Sequence, residues 1–213
     1  MVTATQPDLI PEAFREIVLE RPLNAGDLRS FPDDQNRYEI IGGQLIVSPS
    51  PSTRHQAILG ELFSALKMHL ASIRAGRVFV SPLDVHLSSH DVVQPDLLVV
   101  LDDRRDIIQE HGIVGAPNLV VEIVSPSSRI TDRVDKAALY ARSGVQEYWI
   151  VDPIAETVTV YGLDGDRFSP SAELSHDEDL YSVALTGFVL DLDAIFLETQ
   201  SGSSVEHSDG IEK

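Results

Sequence analysis

The spacing of apolar residues changes along the chain, and each change predicts an element. Residues 37–48, RYEIIGGQLIVS, hold two short apolar runs around Gly42-Gly43, the pattern of a β-hairpin. Pro49 and Pro51 close the second run. Then the period lengthens. Ile58, Leu59, Leu62, Phe63, Leu66, Leu70 and Ile73 recur at helical spacing, which predicts an amphipathic helix that Gly76 terminates. RVFVSPLDVHLSS predicts one or two strands broken at Pro82, and VVQPDLLVVL a strand entered through Pro95. DDRRDIIQEHGIVGAP predicts a polar loop with a short helical turn, and NLVVEIVS a strand buried on both faces. TDRVDKAALYARSG predicts a helix with Val134, Ala137, Ala138 and Ala141 on its apolar side and Gly144 as its stop. Strands follow at VQEYWIVDP and ETVTVYG, and a late strand and turn at LYSVALTGFVLDLDAIF.

Strands and helices alternating in this way predict an α/β fold with a mixed sheet flanked by helices. The strand, helix and strand between residues 119 and 151 predict a parallel crossover. Residues 1–30 read as a loose arm with one short helix near 12–19, residues 31–198 as the folded domain, and residues 199–213 as a disordered acidic tail.

Three carboxylates break this apolar pattern: Glu39 in RYEII, Asp96 in QPDLLVV and Glu122 in VVEIV. A buried carboxylate without a partner costs several kcal/mol or more, roughly, so such groups are paired, metal-bound or protonated. Three of them on strands that can be neighbours suggest a cluster. Converging carboxylates repel unless a cation lies between them. Oxygen donors alone favour a hard divalent ion, Mg2+ or Mn2+. Each acid also has a plainer reading. Glu122 fits a buried partner for Lys136 or Arg133, Asp96 a turn at strand entry, and Glu39 a solvent-facing hairpin position. Lys136 lies one turn into the following helix, where its stem is long enough to reach back to the strand.

Charge changes the picture in one respect. The formal net charge of −18 argues against a polyanionic partner, but residues 37–153 hold 14 acidic and 11 basic residues, a net of −3. The ends and the region after Pro153 carry the rest; from Ser171 onward there are ten acids and one base. There are no cysteines, which excludes disulfides, thiolate metal sites and a cysteine nucleophile, and fits a cytoplasmic location. The first residues show no signal-peptide pattern, and no apolar stretch approaches the roughly 20 residues that span a bilayer.

QPD, then VEIVSPSS, then DRVDKAALYARSGVQEYWIVDP, together with YEIIGGQLIVSPSPSTRHQ and SPLDVHL, resemble the Uma-type family of restriction endonucleases within the PD-(D/E)XK nuclease superfamily. The resemblance runs from about Arg37 to Tyr161. It implies a restriction-endonuclease-like core in which Asp96 and Glu122 hold Mg2+ or Mn2+ and Glu39 is a further acid of the site. The superfamily's lysine is expected at position 124, where this chain has Val124; the resemblance implies that Lys136 replaces it from the helix. The activity implied is metal-dependent hydrolysis of DNA, with two copies of the chain needed to cut both strands.

Arg54, His55, Gln94 and Arg133 are candidate substrate contacts, with Arg37 and Arg129 as further phosphate contacts by position. His55 opens a helix, where it meets a phosphate or simply lies on the surface. Asp84 is a fourth acid beside the site or an exposed edge residue, Trp149 a core residue, and Asp152 a strand-end turn. Two rival functions remain at this level: a catalytically weak or inactive nuclease fold that binds nucleic acid or protein, and a metal-dependent hydrolase of small phosphoesters.

Overall fold

A computed structural model of the chain describes residues 2–3, 21–32, 36–48, 50–125 and 132–196. The short helix expected near 12–19 and the acidic tail lie outside the described residues. After β1 (Val2–Thr3) come the predicted hairpin strands β2 (Arg37–Ile41) and β3 (Gln44–Ser48), with Gly42 and Gly43 both at positive φ, 59° and 76°. Helix α1 (Thr53–Ile73) starts at Ser52, whose hydroxyl accepts from the backbone N–H of His55 at 3.2 Å. β4 (Gly76–Val80), β5 (Val85–Ser88), β6 (Asp91–Val93) and β7 (Leu97–Leu101) follow. A 3-10 turn over Asp102–Ile107, the short strands β8 (Ile108–Gln109) and β9 (Gly112–Val114), and then β10 (Leu119–Ile123) come next. A π turn over Asp132–Lys136 runs into α2 (Ala137–Ser143). The chain continues through β11 (Glu147–Asp152), the long hairpin β12 (Thr157–Asp164) and β13 (Arg167–Ser175), β14 (Asp179–Tyr181), β15 (Val189–Asp191) and α3 (Asp193–Phe196).

Two large mixed sheets form: the central one expected from the sequence, and another that includes the predicted hairpin. One has the order β1-β3-β2-β6-β5-β9-β8, the other β13-β12-β11-β10-β7-β4, and β14 pairs with β15. The predicted single strand VVQPDLLVVL is in fact two, β6 in the first sheet and β7 in the second, with Gln94, Pro95 and Asp96 crossing between them. The predicted crossover is present: β10 runs parallel to β11.

The second sheet is the centre of the fold. Its strands alternate, so odd positions such as Leu97, Val99, Leu119, Val121 and Trp149 pack with Ile58, Leu62 and Leu66 of α1. Even positions such as Leu98, Val120, Val124, Tyr148 and Ile150 pack with Leu139 and Tyr140 of α2. The α2 face therefore differs from the predicted one: Val134 is 60% exposed, and Leu139, Tyr140, Ala141 and the preceding Lys136 are buried. Residues of the expected arm also contribute, since Leu23 is fully buried against the hairpin.

Gly76 does not end α1. Arg74 does, in the left-handed conformation at φ 52°. Gly76 opens β4, where a Cβ would lie 2.6 Å from the Val100 carbonyl oxygen and 2.8 Å from Leu101 Cα. Gly76→Ala is therefore expected to destabilise the protein by about 1–3 kcal/mol, read as a lower urea midpoint at unchanged slope.

Candidate active site

Register brings two of the acids together. β7 and β10 are antiparallel with Val121 opposite Leu97, so the next step sets Glu122 beside Asp96. Glu122 falls on the even face of β10, the side that α2 covers. Glu39 arrives from β2 of the other sheet, where its Oε1 accepts from the backbone N–H of Gln94 at 2.8 Å. The crossing segment Gln94–Asp96 thus joins the sheets and touches all three acids' surroundings. Glu39, Asp96 and Glu122 are all buried, which sets aside the solvent-facing reading of Glu39.

Lys136 is 1% exposed. Its Nζ lies 2.9 Å from Glu39 Oε1 and 2.9 Å from Glu122 Oε1, bridging the two sheets. The π turn that ends at Lys136 delivers it to this point; such turns are frequent at functional sites. Val124, on the same face, is a buried core residue. The Tyr140 hydroxyl, one turn further along, donates to Glu122 Oε1 at 2.7 Å. Burial and the nearby charges of Glu122 and Glu39 push that phenol well above its ordinary pKa, so it stays protonated and donates.

Asp96 has its own set of donors. Arg37 Nη2 lies 3.0 Å from Oδ1, and the Ile123 N–H donates to Oδ2 at 2.8 Å. His55 Nε2 lies 3.1 Å from Oδ2. Burial pushes the carboxyl upward, but the His55 hydrogen bond, the Arg37 charge and the Ile123 amide outweigh it and hold Asp96 at about 2. Because Asp96 is ionised it only accepts, so His55 Nε2 carries the proton, and His55 Nδ1 is then buried without a partner among the described residues. Burial disfavours the charge on Arg37, and Asp96, Glu39 and Glu122 raise its pKa nonetheless.

The other expected contacts divide. Gln94 is at the site and donates through Nε2 to Asp84 at 2.8 Å, which puts Asp84 at its border. His55 is buried against Asp96 and is not a surface residue. Arg54 points elsewhere, pairing with Glu156 at 2.6 Å in the turn after β11. The side chain of Arg133 and all of Arg129 lie outside the described residues. Trp149 is core, and Asp152 Oδ1 accepts from the N–H groups of Ile154 and Ala155 in a strand-end turn. Sequence reasoning missed Tyr140, whose only signal was its position four residues after Lys136.

Comparison with known proteins now decides the family. The family model Uma2, described as "Putative restriction endonuclease", matches residues 26–193, most of the chain. The chain belongs to the Uma2 family. Two uncharacterised proteins of Synechocystis are similar to this Uma2 chain. One is 26% identical over 62% of this chain and 75% of its own, the other 26% identical over 74% and 83%. A crystal structure from Anabaena variabilis, titled as "a putative nuclease belonging to DUF820", has the same fold. It superposes with a TM-score of 0.68 at 23% identity, over 83% of this chain and 98% of its own. The restriction-endonuclease-like α/β fold expected from the sequence is thus the observed one.

Two predictions follow from the charges of this Uma2 site. Lys136→Met leaves Glu39 and Glu122 facing each other in the core and should cost about 3–5 kcal/mol in chemical denaturation, part of it recovered by adding Glu39→Gln. The lowered Asp96 pKa has a definite sign. Its contribution, about 2 kcal/mol, is fully present above the unfolded value near 3.8 and is lost as pH falls through about 2. Acid unfolding of the wild type should therefore steepen between about pH 4 and 2, and Asp96→Asn should remove that component.

Proposed function

We propose that this protein is a metal-dependent DNA endonuclease. The reading is supported above all by one arrangement in a Uma2 chain: a fully buried lysine, Lys136, held between Glu39 and Glu122, with Asp96 opposite Glu122 across the strand pair. The donor set fits a hard divalent ion in its chemistry. Glu39 Oε2 is buried with no hydrogen-bond partner among the described residues. No three acids or histidines among the described residues form a ready ligand set. Mg2+, however, is commonly held by one or two carboxylates, with water and substrate phosphate supplying the remaining oxygens.

Asp96 and Glu122 would hold the ion, Mg2+ or Mn2+. When bound, it polarises a phosphate oxygen and lowers the pKa of a bound water. The protein's own groups do the rest. Arg37, His55 and the Ile123 amide keep Asp96 ionised and fixed in place. Tyr140 orients Glu122. Lys136 is the cation that orients the attacking water or offsets charge on the phosphate in the transition state. Glu39 holds Lys136 and presents its second oxygen to the site. In-line attack by water would leave a 5′-phosphate. The substrate class is DNA and the location proposed is the cytoplasm; wherever both strands of a duplex are cut, two copies of the chain, a homodimer, are needed.

One observation favours a second reading, a nuclease fold that binds nucleic acid without cutting it. Both Asp96 oxygens and Glu122 Oε1 already have protein donors, so the cluster is largely self-neutralised. Incubation of DNA with the protein in Mg2+ and in Mn2+ separates the two. Endonuclease chemistry predicts cleavage by wild type, with Asp96→Ala, Glu122→Ala and Lys136→Ala each reduced by about 10²–10³-fold. DNA binding with no cleavage in either metal supports the second.

A further inference from the structure

Beside the acid cluster the protein has an open cleft of about 640 Å³. Its wall includes Arg37 and Gln94, which also bond the cluster, so the cleft adjoins the cluster through these two residues. Arg37 stands at the boundary: Nη1 donates to the Gln94 carbonyl at 3.0 Å, and Nη2 to Asp96. The remaining lining is chemically mixed, with Arg29, Phe31, Tyr38, Gln56, His86 and His111. Phe31 and Tyr38 are stacked, ring centroids 5.1 Å apart and 17° from parallel.

We propose that this cleft seats an unpaired nucleotide next to the scissile phosphate, so that the preferred substrate is single-stranded DNA. The proposal rests on the nuclease reading and narrows its substrate. Size is the first argument. A cleft of 640 Å³ is comparable to a cube about 9 Å on edge, in the range of small-ligand sites. That is room on the scale of one nucleotide. Lining is the second. Half-buried Phe31, backed by Tyr38 of the hairpin core, together with an arginine and amide groups suits a base with its exposed π-face and hydrogen-bonding edge, which stacking in a duplex hides. Charge is the third. Duplex tracking depends on neutralising many phosphates with lysine and arginine. Here the net charge is −18, with a net of only −3 over residues 37–153, so few phosphates can be met. Of the cleft's cations Arg37 is already paired with Asp96, and Asp84 lines the same wall, which leaves Arg29 as the cation for a phosphate.

The experiment compares a short fluorescein-labelled single-stranded DNA with a hairpin duplex of the same length. Binding is measured by anisotropy in EDTA, and cleavage of both is measured in Mg2+ and Mn2+. The single strand is expected to bind at least tenfold tighter than the hairpin and to be cut preferentially. Phe31→Ala should weaken single-strand binding by roughly tenfold, in line with loss of one stacking contact. Arg29→Ala, at an exposed position, should weaken it severalfold. Equal or tighter binding of the hairpin overturns the proposal, as does single-strand binding that neither variant changes. The two readings fail separately. Duplex cut in preference to single strand leaves the nuclease standing and removes the cleft's role. Single strand bound through Phe31 and Arg29 but never cut removes the nuclease reading and supports the cleft as a site for an unpaired strand.

Discussion

The arrangement depends on one ammonium group. Lys136 Nζ lies between the carboxylates of Glu39 and Glu122, 2.9 Å from each, with almost no exposure to water. Without that cation two like charges would face each other in the core, at a cost no ordinary packing contact offsets. The lysine also ties three pieces of chain together: β2 of one sheet, β10 of the other, and the π turn before α2. The ion pair and the candidate site are therefore the same object. The contact seen for Glu122 is the plainer one, a buried partner for Lys136.

Around that point the fold assigns separate holders to separate acids. Glu122 is fixed by Lys136 and Tyr140, Asp96 by Arg37, His55 and the Ile123 amide, and Glu39 by Lys136 and the Gln94 amide. His55 comes from α1 and Tyr140 from α2, the helices that pack on the two faces of this sheet. Elsewhere a different buried acid does structural work. Glu147 accepts from Trp149 Nε1, Ser182 Oγ and the Ala184 N–H, anchoring the chain between β14 and β15 to the main sheet.

Much of the fold was legible because local chemistry dictates it. Gly42-Gly43 requires a turn, the leucine spacing of α1 requires a helix, and the apolar run at 119–123 requires a buried strand. Legibility failed where neighbours in space outweighed neighbours in sequence. Val134 matched the apolar period of its helix, yet the π turn rotates it outward and Lys136 inward. Gly76 looked like a helix stop, but its reason is the close passage of β7. VVQPDLLVVL looked like one strand because nothing local reveals that its two halves join different sheets.

The sequence by itself determined which residues are unusual: three acids inside apolar runs, a lysine on the next helix, and no lysine at position 124. Those features follow from composition and period, which need no partner to be read. Only the tertiary structure decided who meets whom. The β7–β10 register set Asp96 beside Glu122, the crossing segment brought Glu39 from a second sheet, and the fold turned His55 inward and Arg54 toward Glu156. Pairing of charges depends on separations of a few ångströms between residues up to 102 positions apart, and no local pattern encodes that distance.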